Sequence, residues 1–307
     1  MWTASQFFAG CPALEQDPKA QLQRFIKQHS GKPVVCVTSG GTAVPLERRC
    51  VRFIDNFSSG SRGALAVEAF LQAGYAVIYI YRANTVQPFT NGTHSERALQ
   101  WLFEQATERQ DASLSLPAGS AELVASAVQR FKQVHHESTL LRLPFTTLFE
   151  YLLVLREAAL ALAFLESRAM MFLAAAVSDF FMPWQDMEEH KIQSRSGPLT
   201  LELQQVPKML GELRQHWAPK ACLISFKLET DQQLLLQKAG RALELYAVDA
   251  VVANLLETRK EEVWILQRSN TLQQPQRLTR PPQDDFIEAA LVARIVEIHQ
   301  QHIHALT

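Results

Sequence analysis

The run Pro33-Val34-Val35-Cys36-Val37-Thr38-Ser39-Gly40-Gly41-Thr42 sets the reading of everything around it. Pro33 to Thr38 is apolar and β-branched without alternation, which is how a strand covered on both faces of a parallel sheet is written. It ends in a glycine-rich turn, Ser39 to Thr42. Beyond the turn, Arg52 to Asp55 reads as a short extended piece, followed by the turn Asn56-Phe57-Ser58-Ser59-Gly60. A helix is predicted from about Arg62 to Ala73, apolar at Ala66, Ala69, Phe70 and Ala73, with Gly74 as its stop. Tyr75 to Tyr81 is the next strand. The sheet resumes at Met170 to Val177, Ala221 to Leu228 and Asp249 to Ala253, with a last strand at Glu262 to Gln267. Helices are predicted from Val206 to His216, Asp231 to Tyr246 and Asp284 to His302. Short β-rich runs alternating with helices indicate an α/β fold, a Rossmann-like, doubly wound, mostly parallel sheet.

The expected organisation is a single α/β domain over residues 1–307. Residues 1–30 form a helical N-terminal extension, and 83–168 a mainly helical insertion with a polar stretch at Thr107 to Ala121. Hydrophobic residues are 47% of the 307 and the formal net charge is −1. That composition supports a large core and supplies no global field to attract nucleic acid or an anionic membrane. The longest apolar run, around Ala158 to Leu165, falls far short of the roughly 18 residues a membrane span needs. Met1 to Gly10 lacks the pattern of a secretory signal. Cys11, Cys36, Cys50 and Cys222 form no Cys-x-x-Cys, so no zinc site or redox dithiol is expected, and a reducing cytoplasm suits them.

Ligands in open α/β sheets sit at the carboxyl ends of the strands, and three unusual segments fall there. In Thr38-Ser39-Gly40-Gly41-Thr42, adjacent glycines let backbone N–H groups turn toward a phosphate, although such turns also close strands for steric reasons alone. Arg52 to Gly63 places Ser58, Ser59, Ser61, Gly60 and Gly63 at a helix N-terminus, flanked by Arg52 and Arg62. One N-cap would need a single such residue, so the surplus points to an anion site. Ala174-Ala175-Ala176-Val177-Ser178-Asp179-Phe180 lets a ring lie against a strand end, with Asp179 as an acceptor beside it. His190-Lys191-Ile192-Gln193-Ser194 then brings a lysine into a loop. Together these supply N–H donors, arginines, a lysine and an acid without a metal-ligand cluster. That set suits stabilisation of phosphate charge more than attack by a side-chain nucleophile.

The same segments resemble the phosphopantothenoylcysteine synthetase (phosphopantothenate–cysteine ligase) family, in its eukaryotic-type stand-alone form. Thr38 to Thr42 through Pro45-Leu46-Glu47 and Val51 to Gly60 is similar to the family's leading motif. Ala174 to Phe180, His190 to Ser194, Ile224 to Thr230 and Val251 to Asn254 resemble later blocks, in family order. The resemblance implies a cytoplasmic ligase for the second step of coenzyme A synthesis from pantothenate. It would join 4′-phosphopantothenate and L-cysteine through an acyl-nucleotidylate, with Mg²⁺ and ATP, or CTP, as co-substrate. His-Lys-Ile-Gln-Ser departs from the more lysine-rich bacterial motif, and eukaryotic-type relatives use ATP. By the same resemblance, Asn56 holds the acyl carbonyl, Arg52 serves in the same loop, and Lys191 assists activation of the carboxylate. Gly40, Gly41, Ser58, Ser59, Gly60 and Gly63 cradle nucleotide phosphates. Ala175, Ala176, Asp179, Phe226 and Asn254 lie near base or ribose, and Lys238 or Arg241 approaches the phosphates. The family is dimeric, and Ile192 to Leu203 is the candidate flap over the partner's site.

His299, His302 and His304 are read as a frayed tail rather than a metal site, and Cys36 as core. A nicotinamide oxidoreductase is the leading rival, but no Gly-x-Gly-x-x-Gly opens a helix and no Tyr-x-x-x-Lys occurs. A non-catalytic nucleotide sensor is the other; it would not need Asn56, Arg52 and Lys191 together.

Overall fold

The computed structural model describes residues 2–90, 118–194, 197–268 and 274–306, with side chains left out over 118–127. Its centre is an eight-stranded sheet in the order β12-β11-β10-β9-β6-β1-β4-β5. These strands are β1 (Val34–Ser39), β4 (Ala76–Arg82), β5 (Leu140–Phe145), β6 (Ala169–Leu173), β9 (Cys222–Glu229), β10 (Ala250–Leu255), β11 (Glu262–Gln267) and β12 (Gln276–Thr279). Strands β5 to β10 of this sheet run parallel, while β11 and β12 turn antiparallel at one edge. Two ribbons stand apart: β2 (Ala43–Pro45) with β3 (Phe53–Asp55), and β7 (Phe180–Phe181) with β8 (Gln204–Gln205). The fold is the α/β Rossmann-like one.

All six residues of β1 are buried, because helices cover both faces. Val34 and Cys36 face a core shared with Phe7, Leu22 and helix Leu148–Leu162. Val35 and Val37 face the opposite core, with Ala66, Val67 and Phe70 of helix Ser61–Gln72 and Leu291 and Ile295 of helix Glu288–Leu306. From β1 the order runs to β4 and β5 on one side and to β6, β9 and β10 on the other. The chain therefore reverses its direction of progress between β1 and β6, and the crevice at that switch point opens at their carboxyl ends.

Several expectations need correction. The 83–168 stretch, expected as a mainly helical insertion, also contributes edge strand β5, parallel to β4. Pro144 and the alternating exposure of β5 are those of an edge, which disguised it. The polar stretch Thr107 to Ala121 lies outside the described residues over 107–117. The strand expected over Met170 to Val177 stops at Leu173, and the alanines leave the sheet. The helix expected from Val206 to His216 is one turn, Met209–Glu212, continued by a wider turn over Leu213–Trp217. Strand β12 is short, polar and mostly exposed, so no local pattern announces it. Residues 1–30 do hold helices, Ala4–Ala9 and Lys19–Gln28, but Phe7, Leu22, Phe25 and Ile26 are core. The last helix is not frayed: it runs to Leu306, and His299 is buried inside it. No helix among the described residues is long and apolar enough to cross a membrane.

Candidate active site

The three segments singled out in the sequence meet at the switch point. Thr42 N–H donates to the Ala176 carbonyl at 3.0 Å, and Ala176 N–H to the Gly40 carbonyl at 2.8 Å. Ala175 N–H donates to Thr38 Oγ1 at 3.1 Å, and Ser178 N–H to Thr42 Oγ1 at 3.0 Å. The alanines leave the sheet because this bridge to the glycine turn replaces the ladder. Asn56 N–H donates to the Thr42 carbonyl at 3.1 Å, which brings the second segment against the first. A Cβ on Gly41 would stand 1.5 Å from the Asn56 carbonyl oxygen. Only glycine permits that approach, so Gly41 fixes where Asn56 sits.

Gly60 then turns the chain into helix Ser61–Gln72 with φ of +78°, a left-handed conformation that favours glycine. Gly60 offers the first turn no side-chain cap, and Ser61 N–H reaches Ser59 Oγ at 3.5 Å; a helix N-terminus of this kind suits an anion. Ser39 Oγ donates to the Gly60 carbonyl at 2.9 Å and holds the turn over β1. Ser59 Oγ lies 3.0 Å from Ser61 Oγ, and Gly60 N–H reaches Ser58 Oγ at 3.4 Å. Gly63 is buried in the first helical turn.

A second group gathers around Glu47, a residue quoted in the motif but given no role there. Its side chain is wholly covered, 2.7 Å from Arg52. Burial works against its ionisation, but hydrogen bonds from Arg52, Val51 and Ile192 outweigh it and hold its pKa below the usual carboxylate value. Arg52 also donates to the Ile192 carbonyl at 3.2 Å. Lys191, next to Ile192, is exposed, and its amine makes no ion pair among the described residues. Arg82, which closes the buried strand β4 and by sequence alone could suit a 2′-phosphate, is instead tied into the glycine turn. It donates to the Gly41 carbonyl at 2.8 Å and pairs with Asp55 at 2.7 Å.

The remaining candidates lie further along the strand ends. Phe226, on β9, packs edge-on to Phe172 with centroids 4.9 Å apart, and the Arg62 guanidinium lies 5.7 Å over its ring. Burial lowers the pKa of Arg62, and Glu288 at 3.8 Å resists that shift. Asn254 is buried near the end of β10. Asp179 is exposed, 3.5 Å from Lys208. Lys238 pairs with Glu229 at 2.9 Å, as Lys227 does at 3.2 Å. Arg241, on the same helix as Lys238, makes no ion pair among the described residues. The flap stretch Ile192 to Leu203 shows no strand over its described part, although its end joins β8; residues 195 and 196 lie outside the described ones.

Backbone donors at a crevice, flanked by arginines and lysines, are chemically suited to hold and polarise phosphate. A family described as the DNA/pantothenate metabolism flavoprotein C-terminal domain matches residues 155–288. Phosphopantothenate–cysteine ligase 2 of Oryza sativa subsp. japonica is 46% identical, over 99% of this chain and 94% of its own. Phosphopantothenate–cysteine ligase 1 of Arabidopsis thaliana is 46% identical, over 97% of this chain and 95% of its own. A solved structure of a Cab2 variant in complex with phosphopantothenate-cysteine superposes with a TM-score of 0.89 at 34% identity, covering 99% of this chain and 100% of that one.

Proposed function

This chain belongs to the phosphopantothenate–cysteine ligase family of coenzyme A biosynthesis, and from that premise we propose how its own residues carry the ligation. The substrates are 4′-phosphopantothenate, L-cysteine and a nucleoside triphosphate. The pantothenate carboxylate attacks the α-phosphorus, the α–β bond breaks, and pyrophosphate leaves. The cysteine amine then attacks the acyl carbon of the acyl-nucleotidylate, releasing the nucleoside monophosphate and a proton. Two anions must approach in the first step, so cations and fixed N–H dipoles offset their repulsion and the charge gathering on phosphorus.

The observation that carries this reading is the junction of Gly40, Gly41, Asn56 and the Gly60 turn with Ala175 and Ala176 at the switch point. Ser58, Ser59, Gly60 and Gly63, with Gly40 and Gly41, cradle phosphates there. Asn56 is held by backbone, so its amide is free to donate to the acyl carbonyl. Lys191 serves the α-phosphate, and Arg52 the substrate carboxylate beside it. Ala175, Ala176, Asp179, Phe226 and Asn254 form the base and ribose side. The nucleotide enters as its Mg²⁺ complex. Glu47, Asp55 and Glu229 are each committed to arginine or lysine partners, which favours an ion carried by the triphosphate over one held in a protein cage. ATP is the proposed nucleotide, because His190-Lys191-Ile192-Gln193-Ser194 lacks the lysine-rich character linked with CTP. A homodimer is part of the proposal, supported by exposed Val51, Phe53 and Phe57 on the arm that leads to Asn56.

The test is pyrophosphate release with 4′-phosphopantothenate, Mg²⁺ and ATP or CTP, with and without cysteine. Cysteine-dependent turnover to AMP is expected. Lys191→Gln should block the first step, and Asn56→Asp the second while nucleotide still binds. Folded wild-type protein that binds nucleotide and stays silent with both would sink the assignment and favour a sensor.

A further inference from the structure

The Glu47 carboxylate is buried in the loop that joins β2 to β3, and every donor around it belongs to one of two segments. One oxygen accepts Val51 N–H at 3.2 Å and Arg52 N–H at 3.0 Å. The other accepts the Arg52 guanidinium at 2.7 Å and Ile192 N–H at 3.4 Å. Around this node the chain segments run side by side. Arg48 N–H donates to the Glu188 carbonyl at 2.9 Å, and Arg49 N–H to the Glu189 carbonyl at 3.2 Å. The Arg48 side chain reaches the carbonyls of Trp184 and Gln185. A buried carboxylate is retained only where such donors surround it, since an uncompensated buried charge is strongly unfavourable.

We propose that Glu47 is a positioning residue for the ligation: its carboxylate joins the Arg52 arm to the segment carrying Lys191, so that both cations are presented as one unit. The inference rests on the roles given above to Arg52 and Lys191. Two cations on separate loops would each lose conformational freedom when the substrates bind. A shared carboxylate removes that freedom beforehand, which is preorganisation in the sense that lowers a barrier without touching a reacting atom. Glutamine cannot replace it. Each oxygen accepts two N–H donors, so an amide in either orientation sets an NH₂ against two of them.

Glu47→Gln in the full chain should change MgATP affinity far less than the first chemical step, because none of the donors to Glu47 belongs to the Gly40 or Gly60 turns. Single-turnover pyrophosphate formation should slow by about 100-fold, the scale of a misplaced catalytic group. In a double-mutant cycle, Arg52→Gln should add little once Glu47 is gone. Additive losses, or a loss of MgATP binding and of both steps in proportion to unfolded protein, would reduce Glu47 to scaffold and overturn the proposal. If Glu47→Gln does not fold, hydrogen exchange on Glu47→Asp decides. Amides of Val51, Arg52 and Ile192 should lose protection together, while Ala64 and Val67 keep theirs. Loss at Val51 alone, or across the sheet, refutes the joint. A wild-type chain silent in pyrophosphate release would overturn the reaction assignment instead, and the exchange result would still decide whether the carboxylate joins the segments.

Discussion

At the amino ends of the parallel strands, Tyr75, Cys222, Asp249, His299 and His302 gather beneath the sheet; at the carboxyl ends lie the glycine turns, Asp179, Lys191 and Lys208. The lower group has more of what usually marks a site. The ligand atoms of Cys222, Asp249 and His302 lie within 4.8 Å of one another, the one such convergence among the described residues. Yet its polar groups are matched within the chain. Asp249 accepts from Leu223 N–H at 2.8 Å and pairs with Arg214 and, at 3.3 Å, with His302. Arg214 also donates to the carbonyls of Pro219, Ala221 and Ala247. His302 Nε2 donates to the Lys220 carbonyl at 2.8 Å. His299 donates to the Ser167 carbonyl at 2.9 Å and accepts from the Tyr75 hydroxyl at 2.8 Å. The upper end is the reverse: its backbones are forced together, and its outer charges stay exposed and loosely held. Clustering of titratable groups marks structure when every partner is internal, and marks a site when partners are wanting.

The sharpest way to break this contrast is Asp249→Asn. Removing the central charge leaves Arg214 and His302 partly buried and facing each other, a loss of about 3 kcal/mol of stability. Turnover per folded molecule should not change, because the proposed site lies at the other end of the sheet. Urea unfolding with activity measured on the folded fraction separates the two. Activity lost with stability kept would move function to the lower end.

Acid titration gives the next largest effect. Burial pushes the His299 pKa down to about 4, with the neighbouring His302 charge working the same way against the Ser167 hydrogen bond. Between pH 6.5 and 4 the unfolded chain binds a proton that the native state refuses, so stability falls as the pH falls. At 1.36 kcal/mol per unit, the loss over that window is about 3 kcal/mol. Asp249, whose pKa is lowered by its partners against the pull of burial, adds a further loss on stronger acidification. His302 acts oppositely. Burial alone would lower its pKa, but Asp249 and the Lys220 carbonyl raise it, so its contribution is present at low pH and lost as the pH rises through the raised value. In His299→Gln the slope of unfolding free energy between pH 6.5 and 4 should flatten. An unchanged slope would show that His299 is not buried neutral.

The same contrast explains what could be read in the sequence. Strand β1, helix Ser61–Gln72 and β11 declare themselves by local pattern, and the glycine and serine turns by local chemistry. Edge strands β5 and β12 do not, because half-exposed strands lose the apolar run that identifies buried ones. His299 and His302 read locally as a frayed tail, since their partners Tyr75, Ser167 and Asp249 are remote in the chain. Glu47 is the instructive miss at the site. It belongs to the leading motif, but its bond to Ile192 spans 145 positions, and no local spacing announces it. The residue roles proposed for the upper end rest on a resemblance between local motifs; the joint between them spans the chain and exists only in the fold.

The smallest effect tests the upper end directly. Lys208 and Asp179 are 3.5 Å apart with side chains 64% and 77% exposed, so solvent screens them and the pair holds little. Lys208→Gln should change unfolding free energy by less than about 0.5 kcal/mol. If Asp179 accepts from the nucleotide, it must part from Lys208 to do so, and losing the lysine should leave MgATP affinity equal or slightly higher. Calorimetric titration alongside urea unfolding reads both quantities on one preparation. A loss of stability on the scale expected of Asp249→Asn would mean that the exposed pair is a lock like the one below. The carboxyl ends would then be as closed as the amino ends, and open charge would no longer distinguish the site.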